Sequence, residues 1–418
     1  MRDLLPPVTA TWTRLSRVAA ELAEERGYQL IVTPVVEHTE VFQHGVGAGT
    51  DIVEKEMYTF EDPGGRSLTL RPEATASAVR AYFQGGLNQG PQPVRLWYEG
   101  PMFRHDKQQR GRYRSFFQFG VEAIGDATAE LDVEVIELAS RWLRECGLDE
   151  FSLQVNSIGD AVCRPAYRSL LQDYYRPFLP QLCEDDRRRF ELNPLRLFDC
   201  KNPQCQPFKV DAPRIVDHLC EPCSEHHATV LGTLEALGFT YVLNRDLVRG
   251  LDYYTRTAFE FWDPGIDGQQ NALGGGGRYD GLAQVLGFPA TPAVGFAMGE
   301  DRLVLALEDK GRMANAPALH VAIIPAAEGS EVTAMRLAAT LRDRELRVVV
   351  QHGRRSLKAH LRQAQKLGAP VVLILGDDEM AGYRVTIKNM DDGEQHSVER
   401  GEVVAAVADA LGPEVGGQ

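Results

Sequence analysis

No apolar run in the 418 residues approaches the roughly 18 positions that a membrane-spanning helix needs. The opening residues, MRDLLPPVTATWTRL, carry charge early and lack the continuous apolar core of a signal peptide, so the sequence reads as that of a cytoplasmic protein with no membrane partner. Basic residues are in deficit. There are 45 Lys and Arg against 59 Asp and Glu, a formal net charge of −14. That excludes a protein that coats nucleic acid without regard to sequence. It leaves room for a nucleic-acid partner met on a local basic surface. Cysteine is scarce and odd in number, with seven residues, so no complete disulfide framework is implied. Internal repeats and low-complexity segments are absent. What remains is 44% hydrophobic and 25% charged, the balance of a globular protein of two or three domains.

Hydrophobic periodicity organises the chain. Trp12, Leu15, Val18, Ala19 and Leu22 recur at helical spacing within 9–27, and Gly27 is placed to stop the helix. Residues 28–36 read as a strand broken by Pro34, and Gly45, Gly47 and Gly49 mark a loop. Residues 94–124 read as two long strands, VRLWYEGPMF and SFFQFGVEAI, joined by the polar loop RHDKQQRGRYR. A helix over 128–146 leads to a short strand at 151–155. Residues 158–228 differ in character. They hold Arg187-Arg188-Arg189, several prolines and little strand pattern, and read as a helical insert. Strand-rich sequence resumes near Tyr241. A polar stretch, 308–317, reads as a linker. Beyond it LHVAIIP, a helix through Met335 and Leu341, LRVVVQ, a helix over 356–367 and APVVLILG alternate as in a small α/β domain with a largely parallel sheet.

Several segments carry chemistry. On the second long strand Gln118, Gly120 and Glu122 share one face while Phe117, Phe119 and Val121 take the other. An amide, a gap and a carboxylate could hold a small amphoteric ligand; taken alone, such a face is more often solvated. The polar loop concentrates Arg104, His105, Lys107, Arg110, Arg112 and Arg114, and guanidinium forks suit phosphate oxygens. Gly274–Gly277 form a run without Cβ atoms, open to close approach, though most such runs are turns. Near Gly299 a strand gives way to a helix that carries Arg302 in its first turns.

Together these segments resemble the class II aminoacyl-tRNA synthetases, in particular the histidyl branch, over nearly the whole chain. YQLIVTPVVEHTEVF resembles motif 1, VRLWYEGPMFR with its loop and FFQFGVEAIG resembles motif 2, and AVGFAMGEDRLVLAL resembles motif 3. LVRGLDYYTRTAFEF and GGGGRYDGL are similar to segments of the histidine branch, and TLRPEATA to the loop that covers the amino acid, with Ala74 where many relatives have glycine. The resemblance implies an α+β catalytic domain over 1–312, an antiparallel sheet flanked by helices and interrupted by the helical insert. It also implies a C-terminal α/β anticodon-binding domain over 318–412. The implied reaction joins histidine to the α-phosphate of ATP, with magnesium, then passes it to the 3′ end of tRNA(His), in a homodimer with motif 1 at the interface.

The resemblance assigns roles residue by residue. Arg104 and Arg249 hold the α-phosphate and are the catalytic pair, and Arg302 also binds ATP. Glu73, Thr75 and Gln118 bind the α-amino group. Glu122 and Tyr254 grip the imidazole nitrogens, with Tyr253 and Tyr279 completing the histidine pocket. Such a pocket leaves buried polar groups unpaired when another side chain enters, a penalty that can reach about 10⁴-fold. The acceptor end of the tRNA is expected at the motif 2 loop. Arg354, Arg355, Lys358, Arg362 and Lys366 lie in the most telling part of the anticodon-binding resemblance, and Lys358 and Arg362 share a helix face. The competing reading is a non-catalytic relative, the synthetase-like regulatory subunit of ATP phosphoribosyltransferase. That subunit typically lacks the anticodon-binding domain and parts of the histidine-branch motifs. Finally, Cys200-x₄-Cys205 and Cys220-x₂-Cys223 have spacings that a tetrahedral zinc site accepts, with His226 and His227 as alternative ligands; four reduced cysteines in a helical insert are the plainer alternative.

Overall fold

The computed structural model describes residues 2–47, 50, 52–107, 109–251, 253–265, 271–353 and 355–412. Gly49 and Arg354 lie outside them. The chain divides into two compact units, Met1–Ala314 and Asn315–Gln418. No helix is long and apolar enough to cross a membrane among the described residues.

The strands, in chain order, are β1 Gln29–Leu30, β2 Val36–His38, β3 Tyr58–Glu61, β4 Ser67–Leu70, β5 Val94–Phe103, β6 Ser115–Ile124, β7 Ser152–Ser157, β8 Tyr241–Leu243, β9 Thr255–Trp262, β10 Ala272–Arg278 and β11 Ala293–Gly299 in the first unit. Eight of them form one sheet in the order β1-β5-β6-β11-β10-β9-β7-β8, and β2-β4-β3 form a small second sheet. The long central strands pair antiparallel, as expected, while the edge pairs β1/β5 and β7/β8 are parallel.

Strand alternation decides the two faces of the large sheet. Phe119, Val121 and Ala123 of β6 enter the main core with Trp142, Leu138 and Phe296. The helix Val8–Glu25 buries Trp12, Leu15, Val18, Ala19 and Leu22 in the same core, as their spacing requires. Gln118 and Glu122 therefore face the other side. The helix Ala129–Glu145 covers the core face and presents Asp132 to β10. There Arg278 donates to Asp132 Oδ1 through Nη2 at 2.5 Å and Nε at 3.0 Å, and both side chains are fully buried. Thr257 Oγ1 donates to Asp132 Oδ2 at 2.5 Å, and His226 Nε2 lies 2.7 Å from the same oxygen. The Asp126 and Thr128 carbonyls and Asp280 Oδ1 take the remaining guanidinium N–H groups. Burial would raise the Asp132 pKa, but His226 and Arg278 hold it below the usual range.

The insert is helical, with Arg164–Tyr175 and Glu184–Leu192 followed by short 3₁₀ turns, and the chain returns through the helix Glu221–Ala236. In the second unit β12 Val321–Pro325, β13 Val348–Val350, β14 Val371–Leu375, β15 Arg384–Asn389 and β16 Gln395–Glu399 form a sheet in the order β13-β12-β14-β15-β16. Its central strands are buried on both faces, which explains their unbroken apolar runs.

Three expectations need correction. Residues 28–36 are not one strand: Thr33 gives its carbonyl to Arg71 Nη1 at 3.0 Å and Val35 gives its own to Arg71 N at 2.9 Å, so the segment turns between two sheets. The start of the presumed linker is the end of the helix Glu300–Asp309. The C-terminal sheet is mixed, because β15 and β16 form an antiparallel hairpin beside three parallel strands.

Removing the Arg278 charge should leave Asp132 buried with only Thr257 and His226 against it. Arg278→Met is expected to cost about 3–5 kcal/mol in urea unfolding. An unchanged midpoint would show that the pair does not anchor the sheet.

Candidate active site

The sheet face opposite the main core, the turn Arg71–Thr75 and the segment from Arg249 to Tyr254 enclose a cleft of about 510 Å³. Eight of the ten residues expected at the site line it: Glu73, Thr75, Arg104, Gln118, Arg249, Tyr253, Tyr254 and Arg302. Glu122 and Tyr279 lie beneath this lining, each only 1% exposed.

One group of side chains at the cleft is built around carboxylates. Glu73 accepts from the backbone N–H of Thr75 at 2.6 Å and of Ala76 at 3.1 Å, at the start of the helix Thr75–Gln84. Ala74, in place of the relatives' glycine, has φ −116° and packs beside Tyr98 and Met102, so no glycine-only conformation is required there. Thr75 Oγ1 donates to Glu122 Oε1 at 2.7 Å, Tyr98 Oη donates to the same oxygen at 3.2 Å, and Tyr279 Oη donates to Oε2. Burial pushes the Glu122 carboxyl up to about 8 despite these hydroxyls, and raises Glu73 as well. Gln118 Oε1 is buried with no hydrogen-bond partner, a free acceptor in the lining.

The cleft lining also carries three guanidinium groups. Arg104 donates from Nε to Pro72 O at 2.8 Å and lies over the Phe116 ring, 5.3 Å from its centroid. Arg249 pairs with Glu260 and lies over the Tyr254 ring, at 5.2 Å. Arg302 donates from Nη1 to Ala272 O. Burial lowers the pKa of Arg104 and Arg302, and in Arg302 the neighbouring positive charges of Arg112 and Arg104 lower it further. An anion entering here relieves both burdens.

Glycine has a specific role at two positions. A Cβ on Gly275 would overlap Phe259 O and lie 2.9 Å from Arg249 Nη1, so only glycine lets β10 pass under that arginine. A Cβ on Gly120 would overlap the Tyr98 ring, which is the path by which Tyr98 reaches Glu122.

Sequence reasoning missed Tyr98 and Glu260. The signal for Tyr98 was present: it pairs with Gly120 across β5 and β6 and so shares the face of Gln118 and Glu122. Glu260 is the polar residue between Phe259 and Phe261, and alternation puts it on the cleft side. In the second unit the helix Leu357–Lys366 buries His360 and Ala364, leaving Lys358, Arg362 and Lys366 on its more open faces.

The cysteines expected to form one group do not converge. Cys200 and Cys205 gather with Cys183 and Asp186, while Cys220 and Cys223 gather with Asp160 and Cys163. Cys163, Cys183 and Cys220 each stand at the start of a separate helix, while Cys200 and Cys205 lie among the 3₁₀ turns. His226 belongs to neither group, being held at Asp132, and His227 is likewise outside both.

Known proteins resemble the chain over nearly its whole length. The family model for histidyl-tRNA synthetase matches residues 1–167 and 216–303, and that for the anticodon binding domain matches 320–410. The chain is 44% identical over 411 residues to a histidine–tRNA ligase of Syntrophomonas wolfei, covering 98% of this chain and 97% of that protein. It is 49% identical over 402 residues to the histidine–tRNA ligase of Desulforudis audaxviator, covering 96% of each. The solved structure of the apo S. aureus histidyl-tRNA synthetase superposes with a TM-score of 0.82 at 34% identity, covering 97% of this chain and 98% of that one.

The raised Glu122 pKa fixes a pH dependence. Its folded value, about 8, exceeds the ordinary carboxyl value of 4.5, so its contribution to stability is complete below about 4.5 and is lost as pH rises through 8. Glu122→Gln lacks that loss. Its stability relative to the parent should therefore rise between pH 5 and 8, read from urea midpoints, and a pH-independent difference would contradict the assignment.

Proposed function

The chain belongs to the histidyl-tRNA synthetase family, and we propose how its cleft divides that family's work among named side chains. Its activity is that of a histidine–tRNA ligase, an aminoacyl-tRNA ligase that uses ATP. The observation that carries the division of labour is the makeup of one cleft, which brings Glu73 and Gln118, with Glu122 beneath them, together with Arg104, Arg249 and Arg302.

Histidine enters with its ammonium group towards Glu73, Thr75 and the free Gln118 carbonyl oxygen. Its ring lies against Tyr253 and Tyr254. An imidazole N–H displaces one of the hydroxyls now donating to Glu122, the Tyr254 hydroxyl meets the other nitrogen, and Tyr279 closes the floor. The histidine carboxylate attacks the α-phosphorus of ATP in line, the bond to the bridging oxygen breaks, and pyrophosphate leaves. Both reactants are anionic, so positioning and fixed positive charge do most of the work. Arg104 and Arg249 hold the α-phosphate oxygens from two sides, and Arg302 holds the nucleotide. In the second step the terminal ribose hydroxyl of tRNA(His) attacks the carbonyl carbon of histidyl-adenylate, and AMP leaves.

Magnesium fits as a companion of the nucleotide. No group of three metal-ligating side chains converges in the cleft among the described residues. A magnesium ion would therefore rest chiefly on phosphate oxygens, with Glu260, a hard-oxygen ligand in the lining, as its carboxylate. It would neutralise phosphate charge, while Arg249 supplies the fixed part of that charge.

The tRNA is met at two places, the acceptor end at the loop carrying Arg110 and Arg112 and the anticodon by the second unit, with Lys358, Arg362 and Lys366 on phosphates. The match over 320–410 speaks against the non-catalytic regulatory relative, which typically lacks that domain. The reading puts the protein in the cytoplasm as a homodimer. Leu30, Val32, Val35 and Val36 of the motif 1 segment are exposed, Val32 at 82%, an apolar strip of the kind an interface covers.

Two outcomes are expected. Arg249→Ala should slow single-turnover formation of histidyl-adenylate by about 10²–10³-fold with little change in histidine affinity; a loss confined to affinity would move Arg249 out of the catalytic pair. Val32→Glu should convert a dimer to a monomer in sedimentation, and a dimer that survives it would place the interface elsewhere.

A further inference from the structure

Six of the seven cysteines gather in two sets of three, and each set has an aspartate at the fourth corner. In the first set Asp160, Cys163, Cys220 and Cys223 bring their ligand atoms within 4.8 Å of one another; in the second Cys183, Asp186, Cys200 and Cys205 do the same. Each set is made of two close pairs in sequence. Asp160-x₂-Cys163 faces Cys220-x₂-Cys223, and Cys183-x₂-Asp186 faces Cys200-x₄-Cys205. Three of the four pairs have zinc-knuckle spacing and the fourth is slightly looser, with aspartate standing where a fourth thiolate would be.

The distances match a tetrahedron rather than a disulfide. Zinc–sulfur bonds of about 2.3 Å put two sulfurs roughly 3.8 Å apart, and with a zinc–oxygen bond of about 2.0 Å a sulfur and an oxygen lie roughly 3.5 Å apart. The Sγ atoms of Cys163 and Cys223 are 3.7 Å apart, and those of Cys183 and Cys200 are 3.8 Å apart. Asp160 Oδ1 lies 3.4 Å from Cys163 Sγ and 3.9 Å from Cys220 Sγ. A disulfide needs about 2.05 Å, and three sulfurs can form at most one. The surroundings are those of outer-shell support. The backbone N–H of Asp160 donates to Cys163 Sγ at 3.3 Å, and that of Cys183 to Cys205 Sγ at 3.3 Å. Arg256 lies 3.5 Å from Asp160 Oδ2, and Arg189 lies 3.2 Å from Asp186 Oδ1, each orienting its carboxylate.

We propose that this chain binds two structural zinc ions, one held by Asp160, Cys163, Cys220 and Cys223 and the other by Cys183, Asp186, Cys200 and Cys205. Their positions give them different tasks. The family model matches 1–167 and 216–303, so the first site joins the two ends of the unmatched segment, while the second lies wholly inside it. The first zinc clamps the base of the insert, where Cys163 and Cys223 meet across 60 residues of sequence. That base adjoins the histidine pocket, because Arg256 N bonds to Gly159 O at 2.7 Å and Arg164 bonds to Tyr254 O. The second zinc staples a segment rich in short 3₁₀ turns.

The test is metal content of the full chain, purified without chelator from zinc-supplemented cells and measured by plasma mass spectrometry. Two zinc ions per chain are expected. Cys220→Ser with Cys223→Ser should remove one, and Cys200→Ser with Cys205→Ser the other. Cobalt(II) refolded into the parent chain should give the intense visible bands of tetrahedral thiolate ligation, a readout that does not depend on how the variants fold. One zinc, none, iron in place of zinc, or an octahedral cobalt spectrum overturns the proposal.

Discussion

A guanidinium and a carboxylate with no exposure to solvent, Arg278 and Asp132, fix the geometry on which the cleft depends. Taking two charges out of water costs several kcal/mol for each, and only excellent geometry offsets it. Here Asp132 receives Arg278 and Thr257 and lies against His226, while the guanidinium satisfies two further carbonyls. The pair ties the end of β10 to the helix Ala129–Glu145 and to the helix that closes the insert. Tyr279 is the next residue along, so its hydroxyl reaches Glu122 only because Arg278 is pinned.

That anchor holds up one wall of a cleft that brings carboxyl groups and guanidinium groups together. Glu122 is kept from water, which raises its pKa to about 8 even though the hydroxyls around it lower it. A carboxyl group so placed suits a ligand whose ring can trade protons and hydrogen bonds with it. In the same cleft Arg302 is half-buried near the positive charge of Arg104, an arrangement that favours phosphate over water. Glycines are what allow such crowding: Gly275 lets Arg249 lie on the sheet, and Gly120 lets Tyr98 cross it.

The sequence made the faces of β6 legible because strand alternation is local, and Gln118 and Glu122 followed from it. The arginines of the loop and of the helix Glu300–Asp309 were legible by resemblance, and eight of the ten expected residues meet in one cleft. What was hidden depends on contacts far apart in sequence. Asp132 and Arg278 are separated by 146 positions, and neither stands out in its own element. The cysteine sets were hidden for the same reason: Cys163 and Cys183 lie far from the cysteines they join, and the aspartates complete the sets only once the helices pack. Residues 28–36 misled because β-branched residues promise a strand, whereas their carbonyls are taken by Arg71.

If this one cleft activates histidine and no other amino acid, exchange of labelled pyrophosphate into ATP by the purified protein, with magnesium and no tRNA, will reveal it. Robust exchange is expected with histidine and none above background with the other amino acids. No exchange from well-folded protein, or equal exchange with a second amino acid, would contradict it.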